Sequence, residues 1–378
     1  MYISEEEINE VLSQYNIKEV IEKYVKLKKV DSKWIGRCPF HQESSPSFLV
    51  DEESQRYMCF GCGKGGNLLE FLMRITGNSF LEVLSSLSKQ TYVLPDTFVR
   101  EKENLYQMNA FAVEFFQKDL NKKAAQNFIA KRNLSEEMIE KFKLGYADGY
   151  RTKLLHQLKN QGYKVEEIEV SGLVSCYESI TDKFKDRFMF PIQDINHRII
   201  GFGGRLTNDA KKEKGCPKYL NSPETRVFDK SSNLYGLNFA KDTKEKEFIL
   251  CEGYMDVIAM HQIGYANAVA SLGTALTRKQ VDLLSRYKKR IIVAYDMDGP
   301  GIAAAKRAME LLKEKKMGIR FLDMTPYKDP DEFIKAEGID AFKERVEHAD
   351  HKNNWILKQV NKSKDYSLLE YLEQSFIL

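Results

Sequence analysis

The sequence predicts a multidomain chain mixing α+β and α/β architecture. A small N-terminal ribbon unit is followed by a mixed α+β middle, a Rossmann-like parallel sheet wound with helices, and a short helical tail. Three observations carry this. The chain has 378 residues, enough for two or three domains. Cys38, His41, Cys59 and Cys62 cluster in the first part of the chain. From residue 246 onward, strand-like and helix-like stretches alternate, the pattern of a parallel sheet.

Taken in order, Ser4 and Glu7 form a capping-box signal, and Ile8, Val11, Leu12 and Tyr15 follow at helical spacing. Strand-like stretches come next at Trp34-Ile35, Ser47–Val50 and Gln55–Met58. Asn67 reads as the N-cap of a helix carrying Leu68, Leu69, Phe71 and Leu72. This unit is expected over 1–95, with the Pro95-containing stretch as connector and 96–104 as linker. A middle subdomain over 105–243 begins with helices carrying Phe111, Phe115, Phe128, Met138 and Phe142. It continues into strands at Arg187–Ile192 and His197–Phe202. The β/α part spans 244–330, with strands at Glu247–Cys251, Ala266–Ser271, Arg290–Tyr295 and Ile319–Leu322. Residues 331–378 read as a charged helical tail.

Composition narrows the function classes. With 43% hydrophobic and 30% charged residues, the chain is neither disordered throughout nor fibrous. It has no apolar run long enough for a transmembrane helix, and its N-terminus does not read as a secretory signal. The expected compartment is the cytoplasm, where clustered Cys and His point to metal rather than disulfides. Net charge is only +3, but Lys183–Lys230 holds eleven Lys/Arg against six Asp/Glu. Such a stretch is either a polyanion track or a solvated face.

The cysteine cluster has a definite spacing: Cys38-Pro-Phe-His41, seventeen residues, then Cys59-Phe-Gly-Cys62. Two short knuckles supply the four ligands that one tetrahedral Zn²⁺ takes, and four protein ligands make such a site structural. Trp34, Phe48, Tyr57 and Phe60 lie among Arg37, Arg56 and Lys64. Aromatics interleaved with cations suit single-stranded nucleic acid, or else they are core residues.

The acidic residues recur at strand ends. Glu252 follows the first β/α strand with Asp256 one helical turn on; Asp296 and Asp298 follow the third; Asp329 and Asp331 follow the fourth. In a parallel sheet these ends open on one edge. Carboxylates gathered there repel unless a cation such as Mg²⁺ joins them, and two such ions suit phosphoryl chemistry. Taken singly, each Asp is equally a helix N-cap or a turn residue. Between the clusters lie Arg187, Gly201-Phe-Gly-Gly-Arg205, Pro217-Lys218 and Lys230, which suit close backbone approach and a grip on phosphates.

Together these motifs resemble bacterial DnaG-type DNA primases. The resemblance rests on the two knuckles, on Arg187-Phe-Met-Phe-Pro-Ile, on Ile200-Gly-Phe-Gly-Gly-Arg205 and on Pro217-Lys-Tyr-Leu-Asn-Ser-Pro-Glu-Thr225. It rests equally on Glu252-Gly-Tyr-Met-Asp-Val, Ala270-Ser-Leu-Gly-Thr274 and Tyr295-Asp-Met-Asp-Gly-Pro-Gly, which resemble the TOPRIM fold shared with topoisomerases. The motif order agrees from about residue 5 to about 345.

The resemblance implies synthesis of short RNA primers from ribonucleoside triphosphates on single-stranded DNA. It implies one structural Zn²⁺ and two or more catalytic Mg²⁺, for which Mn²⁺ substitutes. Glu252, Asp296 and Asp298 become the catalytic candidates. Asp256, Asp329 and Asp331 would complete the magnesium site. Arg132, Arg187, Arg205, Lys218 and Lys230 would meet template and nucleotide phosphates. The family's usual helicase-docking domain is not expected within this chain, so docking to a replicative helicase through it is in doubt. A monomer without membrane contact is expected. Two rival readings use the same residues: a TOPRIM nuclease or topoisomerase, and a zinc-ribbon single-stranded-DNA-binding module without catalysis.

Overall fold

The computed structural model describes residues 5–41, 43, 45–62, 64–76, 78, 80–88, 96–177, 179–207, 215–273, 275–363, 369 and 372. Ser4 of the expected capping box and Pro95 of the expected connector lie outside them. The chain divides into two compact units, residues 1–101 and 102–378.

The first unit opens with α1 (Glu5–Ser13) and α2 (Ile17–Ile21), the latter capped by the Asn16 side chain. Five antiparallel strands follow in sequential order: β1 (Leu27–Val30), β2 (Lys33–Gly36), β3 (Phe48–Asp51), β4 (Arg56–Cys59) and β5 (Gly65–Gly66). Two helices, α3 (Leu68–Thr76) and α4 (Phe80–Ser88), close the unit. Asn67 caps α3 reciprocally: its Oδ1 accepts from Glu70 N–H at 3.0 Å, and Glu70 Oε2 accepts from Asn67 N–H at 2.9 Å. Phe48 and Tyr57 stack at 5.2 Å, and Phe71 meets Tyr57 edge-on at 5.5 Å, all buried. β1 gave no sequence signal because Lys28, Lys29 and Val30 all face solvent. Pairing with β2 across the turn at Asp31, whose φ is +55°, holds it in place.

Helix α5 (Asp96–Gln117) covers the stretch expected to be a linker over 96–104. Among the residues whose side chains are described, its buried apolar stripe is Leu105, Met108, Ala112, Val113 and Phe116. Next come α6 (Lys123–Arg132), α7 (Glu136–Lys141), β6 (Gly145–Ala147), α8 (Lys153–Asn160), α9 (Val165–Glu169) and the hairpin β7 (Val174–Cys176)/β8 (Ile180–Asp182). β9 (Arg187–Gln193), β10 (Ile199–Leu206) and β11 (Tyr219–Asn221) join β6 in an antiparallel sheet ordered β11-β10-β9-β6. Of the polar stretch between β10 and β11, residues 208–214 lie outside the described ones.

After the short α10 (Leu237–Ala240) comes the β/α part: β12 (Glu247–Cys251), α11 (Tyr254–Gln262), β13 (Ala268–Ala270), α12 (Arg278–Tyr287), β14 (Arg290–Ala294), α13 (Gly299–Glu314) and β15 (Gly318–Phe321). α14 (Pro330–Glu337), α15 (Ile339–Glu347), β16 (Asp350–His351) and α16 (Lys352–Ser363) complete the described chain. The sheet order is β13-β12-β14-β15-β16; the first four strands are parallel, and β16 adds an antiparallel edge. Alternate residues of β12 enter different cores, Ile249 and Cys251 on one side and Phe248 and Leu250 on the other. A strand buried on both faces is what a parallel sheet covered by helices requires. Phe188, Phe190 and Ile192 of β9 share the first of these cores, which fixes the antiparallel sheet against the parallel one. No described helix is long and apolar enough to cross a membrane.

Candidate metal centre and acidic cleft

In the first unit, the β2–β3 and β4–β5 connections bring Cys38, His41, Cys59 and Cys62 together, with one ligand atom from each within 4.8 Å of all the others. Cys38 Sγ and Cys62 Sγ are 3.8 Å apart, and Cys59 Sγ and His41 Nδ1 are 3.9 Å apart. A tetrahedron with Zn–S bonds of about 2.3 Å has edges of about 3.8 Å, so the four residues fit Zn²⁺. Phe40 N–H points at Cys38 Sγ and Cys62 N–H at Cys59 Sγ, both at 3.4 Å. Burial pushes the Cys38 thiol up to about 12, a cost that a bound cation removes. Sequence reasoning missed Glu43. Its carboxylate lies 3.2 Å from His41 Nε2 and accepts from the N–H of Cys38 and the N–H and hydroxyl of Ser47. It thereby orients the imidazole and braces the Cys38–Ser47 segment that carries it.

The aromatics around this centre divide. Phe48 and Tyr57 are core, whereas Phe60 is 74% exposed and Met58 43%. Arg37, Arg56 and Lys64 are exposed near them in sequence.

In the second unit, β12 and β14 are paired parallel with Cys251 opposite Ala294, so Glu252 and Asp296 leave the sheet side by side. Glu252 Oε1 accepts from Asp296 N–H at 3.0 Å. This approach needs glycine at 301, where a Cβ would stand 2.1 Å from the Asp296 carbonyl and 2.8 Å from Glu252 Oε1. Asp256, in the first turn of α11, accepts from Gly253 N–H at 3.0 Å. Asp298 caps α13 through Gly301 N–H at 3.0 Å, and Asp329 caps α14 through Glu332 N–H at 2.9 Å. Both are N-caps, as the simpler reading of each had it, and both are also held at the acidic edge. Asp331 stands in the first turn of α14; its side chain lies outside the described residues.

A cleft of about 440 Å³ opens at this edge. Glu252, Asp256, Asp296 and Asp329 line it together with Lys328, and Arg132, Arg205 and Lys218 line it with Tyr219 and Asn221. Tyr254 ties the two sets by donating to Asn221 Oδ1 at 2.9 Å. The tight seat of Tyr254 explains the second glycine of the Gly-x-Gly-Gly of β10, since a Cβ at Gly203 would lie 2.5 Å from its ring. Arg205 donates to the Tyr219 hydroxyl at 2.9 Å.

Burial, with Asp296 and Asp329 beside it, pushes the Asp256 carboxyl up to about 7. Burial and the neighbouring Asp296 also raise Glu252, and burial raises Asp296 against the pull of Lys328. Asp298 is held below its usual range, chiefly by Gly301 N–H. Buried hard-oxygen donors that resist ionising together fit a divalent cation such as Mg²⁺. Lys328, which sequence reasoning missed, lies 3.2 Å from Asp296 Oδ2 and 3.1 Å from Asp298 Oδ2. Its only sequence signal is its place directly before Asp329.

Two expected phosphate ligands stand elsewhere. Arg187 is 5% exposed, and its guanidinium donates to the carbonyls of Gly204, Pro217 and Lys218. It props the segment that carries Lys218. Lys230 lies in a single 3₁₀ turn and is not among the cleft-lining residues.

Three families match successive parts of the chain: the CHC2 zinc finger over residues 3–102, the DNA primase catalytic core N-terminal domain over 113–241, and a Toprim-like family over 249–334. The DNA primase of Clostridium acetobutylicum is 38% identical over 99% of this chain and 64% of its own length. That of Listeria innocua is 36% identical over 98% and 63%. The chain thus spans a little under two thirds of these relatives. The crystal structure of the zinc-binding and RNA polymerase domains of Aquifex aeolicus primase is similar over 97% of this chain and 93% of that one, at 32% identity and a TM-score of 0.65. A DnaG primase catalytic domain bound to single-stranded DNA matches 69% of this chain and 84% of that one, at 34% identity and a TM-score of 0.61.

Proposed function

Since the chain belongs to the bacterial DnaG-type DNA primase family, we propose that it synthesises short RNA primers on single-stranded DNA. The observation that carries this reading is the cleft, where Glu252, Asp256, Asp296 and Asp329 share one opening with Arg132, Arg205 and Lys218. An acidic edge beside a basic one suits a reaction between two polyphosphates on a polyanionic template.

The reaction is attack of a 3′-hydroxyl on the α-phosphate of a ribonucleoside triphosphate, releasing pyrophosphate. Glu252, Asp256, Asp296, Asp298, Asp329 and Asp331 would hold two or more Mg²⁺ ions (Mn²⁺ serving instead), which supply activation of the attacking oxygen and neutralisation of phosphate charge. Glu252 either accepts the proton of the attacking hydroxyl or organises the ions around it. Its hydrogen bond to Asp296 N–H fixes the loop that carries Asp296 and Asp298. Arg132, Arg205 and Lys218 orient template and triphosphate, and Arg187 keeps Lys218 in place. In the first unit, Phe60 and Met58, with Arg56 and Lys64, form a stacking and phosphate-binding face for the template. The same proposal includes action in the cytoplasm as a monomer, with a replicative helicase as the partner expected for the family and docking through the usual domain in doubt.

The test is product analysis on a short single-stranded DNA template with labelled ribonucleotides and Mg²⁺. The wild-type chain makes short RNA, and Asp296→Asn makes at least a hundredfold less. Cut or relaxed DNA without RNA would assign the cleft to a nuclease or topoisomerase instead. Template binding without any product would leave a binding module.

A further inference from the structure

The acidic edge of the cleft carries its own cation. We infer that Lys328 is a built-in stand-in for the divalent ion: it holds Asp296 and Asp298 together when no metal is bound and gives up both carboxylates when one enters. This inference rests on the proposed reading of the cleft as a divalent-cation site.

The backbone geometry makes the placement deliberate. Met297, between the two aspartates, donates its N–H to the Lys328 carbonyl at 2.9 Å. Lys328 N–H in turn donates to Glu332 Oε2 at 3.1 Å. The loop after β14 and the loop after β15 are therefore clamped at residues 297 and 328. The lysine side chain is delivered between Asp296 and Asp298, with Nζ 3.2 Å and 3.1 Å from their Oδ2 atoms.

Without that charge, Asp296 would face Glu252, Asp256 and Asp329 across one cleft with no side-chain cation among the described residues directly on it. The contact is also built to be released. The Lys328 side chain is 50% exposed, and half-exposed ion pairs of this kind are weakly held. A dication of twice the charge, taking carboxylate oxygens directly, outcompetes one ammonium. The freed side chain remains on the cleft wall with Arg205 and Lys218, where the other polyanion of the reaction must lie.

The experiment is Mn²⁺ titration of the zinc-loaded full chain, followed by electron paramagnetic resonance and calorimetry, on wild type, Lys328→Met and Lys328→Gln. Lys358→Met removes a lysine of equal exposure, paired with Asp350, and controls for overall charge. Both Lys328 variants are expected to bind Mn²⁺ roughly tenfold more tightly than wild type, while Lys358→Met stays within twofold. In buffer free of Mn²⁺ and Mg²⁺, with zinc retained, both are expected to melt below wild type, and saturating Mn²⁺ is expected to close the gap. Unchanged or weaker Mn²⁺ binding in the Lys328 variants would overturn the inference while leaving the metal site intact. If Mn²⁺ fails to bind the wild-type cleft at all, measured as no difference from Asp296→Asn, the metal reading falls and the inference with it.

Discussion

His261 sits on α11 with 4% exposure, packed edge-on against Phe142 at 5.0 Å and Phe239 at 5.9 Å. A carbonyl can only accept, so Nε2–H donates to Ala268 O at 3.1 Å, and the ring is neutral in the folded chain. Burial, with Lys141 nearby, pulls its pKa from 6.5 down to about 4. Below pH 6.5 the unfolded chain takes up a proton that the folded chain refuses until about pH 4, so folding stability falls as pH drops through that window. The loss is about 3 kcal/mol at full effect. Urea unfolding between pH 7 and 4.5 should show a smaller loss for His261→Gln than for wild type; equal losses would remove this account. At the same scale, Glu252, Asp296 and the zinc ligands were legible because their spacing or strand-end position is itself the signal. Arg187 was not, because a basic residue that props a loop from inside a strand looks in sequence like one that meets a phosphate. Lys328 was hidden because its partners come from a different loop.

The elements place the chemistry through two close approaches. α13 begins where Gly301 lets the Asp296 loop fold back onto Glu252. A Cβ there would overlap the Asp296 carbonyl, so Gly301→Ala must push that loop away from Glu252. The expected result is a loss of about 2 kcal/mol in stability and a far larger loss of primer synthesis; activity near wild type would show that the approach is dispensable. The β/α part was legible from alternation alone. Strand Glu247–Cys251 was read with its observed limits, and the ends of the others moved by one or two residues. β1, β5, β6, β11 and β16 escaped because they are short, and partner strands rather than their own side-chain patterns hold them. The stretch 96–104 read as linker because its polar residues precede the buried stripe of the helix to which it belongs.

At the scale of the molecule, the first unit has its own core, from Val11 to Leu87, and its own metal centre. Structural zinc contributes about 10 kcal/mol or more to the folding of small domains. Chelation, or Cys62→Ser, is therefore expected to abolish one calorimetric transition and leave a second, belonging to residues 102–378, in place. Loss of both transitions together would contradict independent cores. Three family matches in succession agree with this division into a part carrying the Cys/His cluster and a larger part carrying the acidic cleft.

The function proposed here places phosphodiester-bond formation in the acidic cleft. The most direct measurement is formation of the first bond, a 5′-triphosphate dinucleotide made from two ribonucleotides on single-stranded DNA, by wild type and Glu252→Gln. Wild type is expected to make it, whereas Glu252→Gln is slower by roughly a thousandfold with template binding unchanged. Glu252→Gln within tenfold of wild type would contradict that placement.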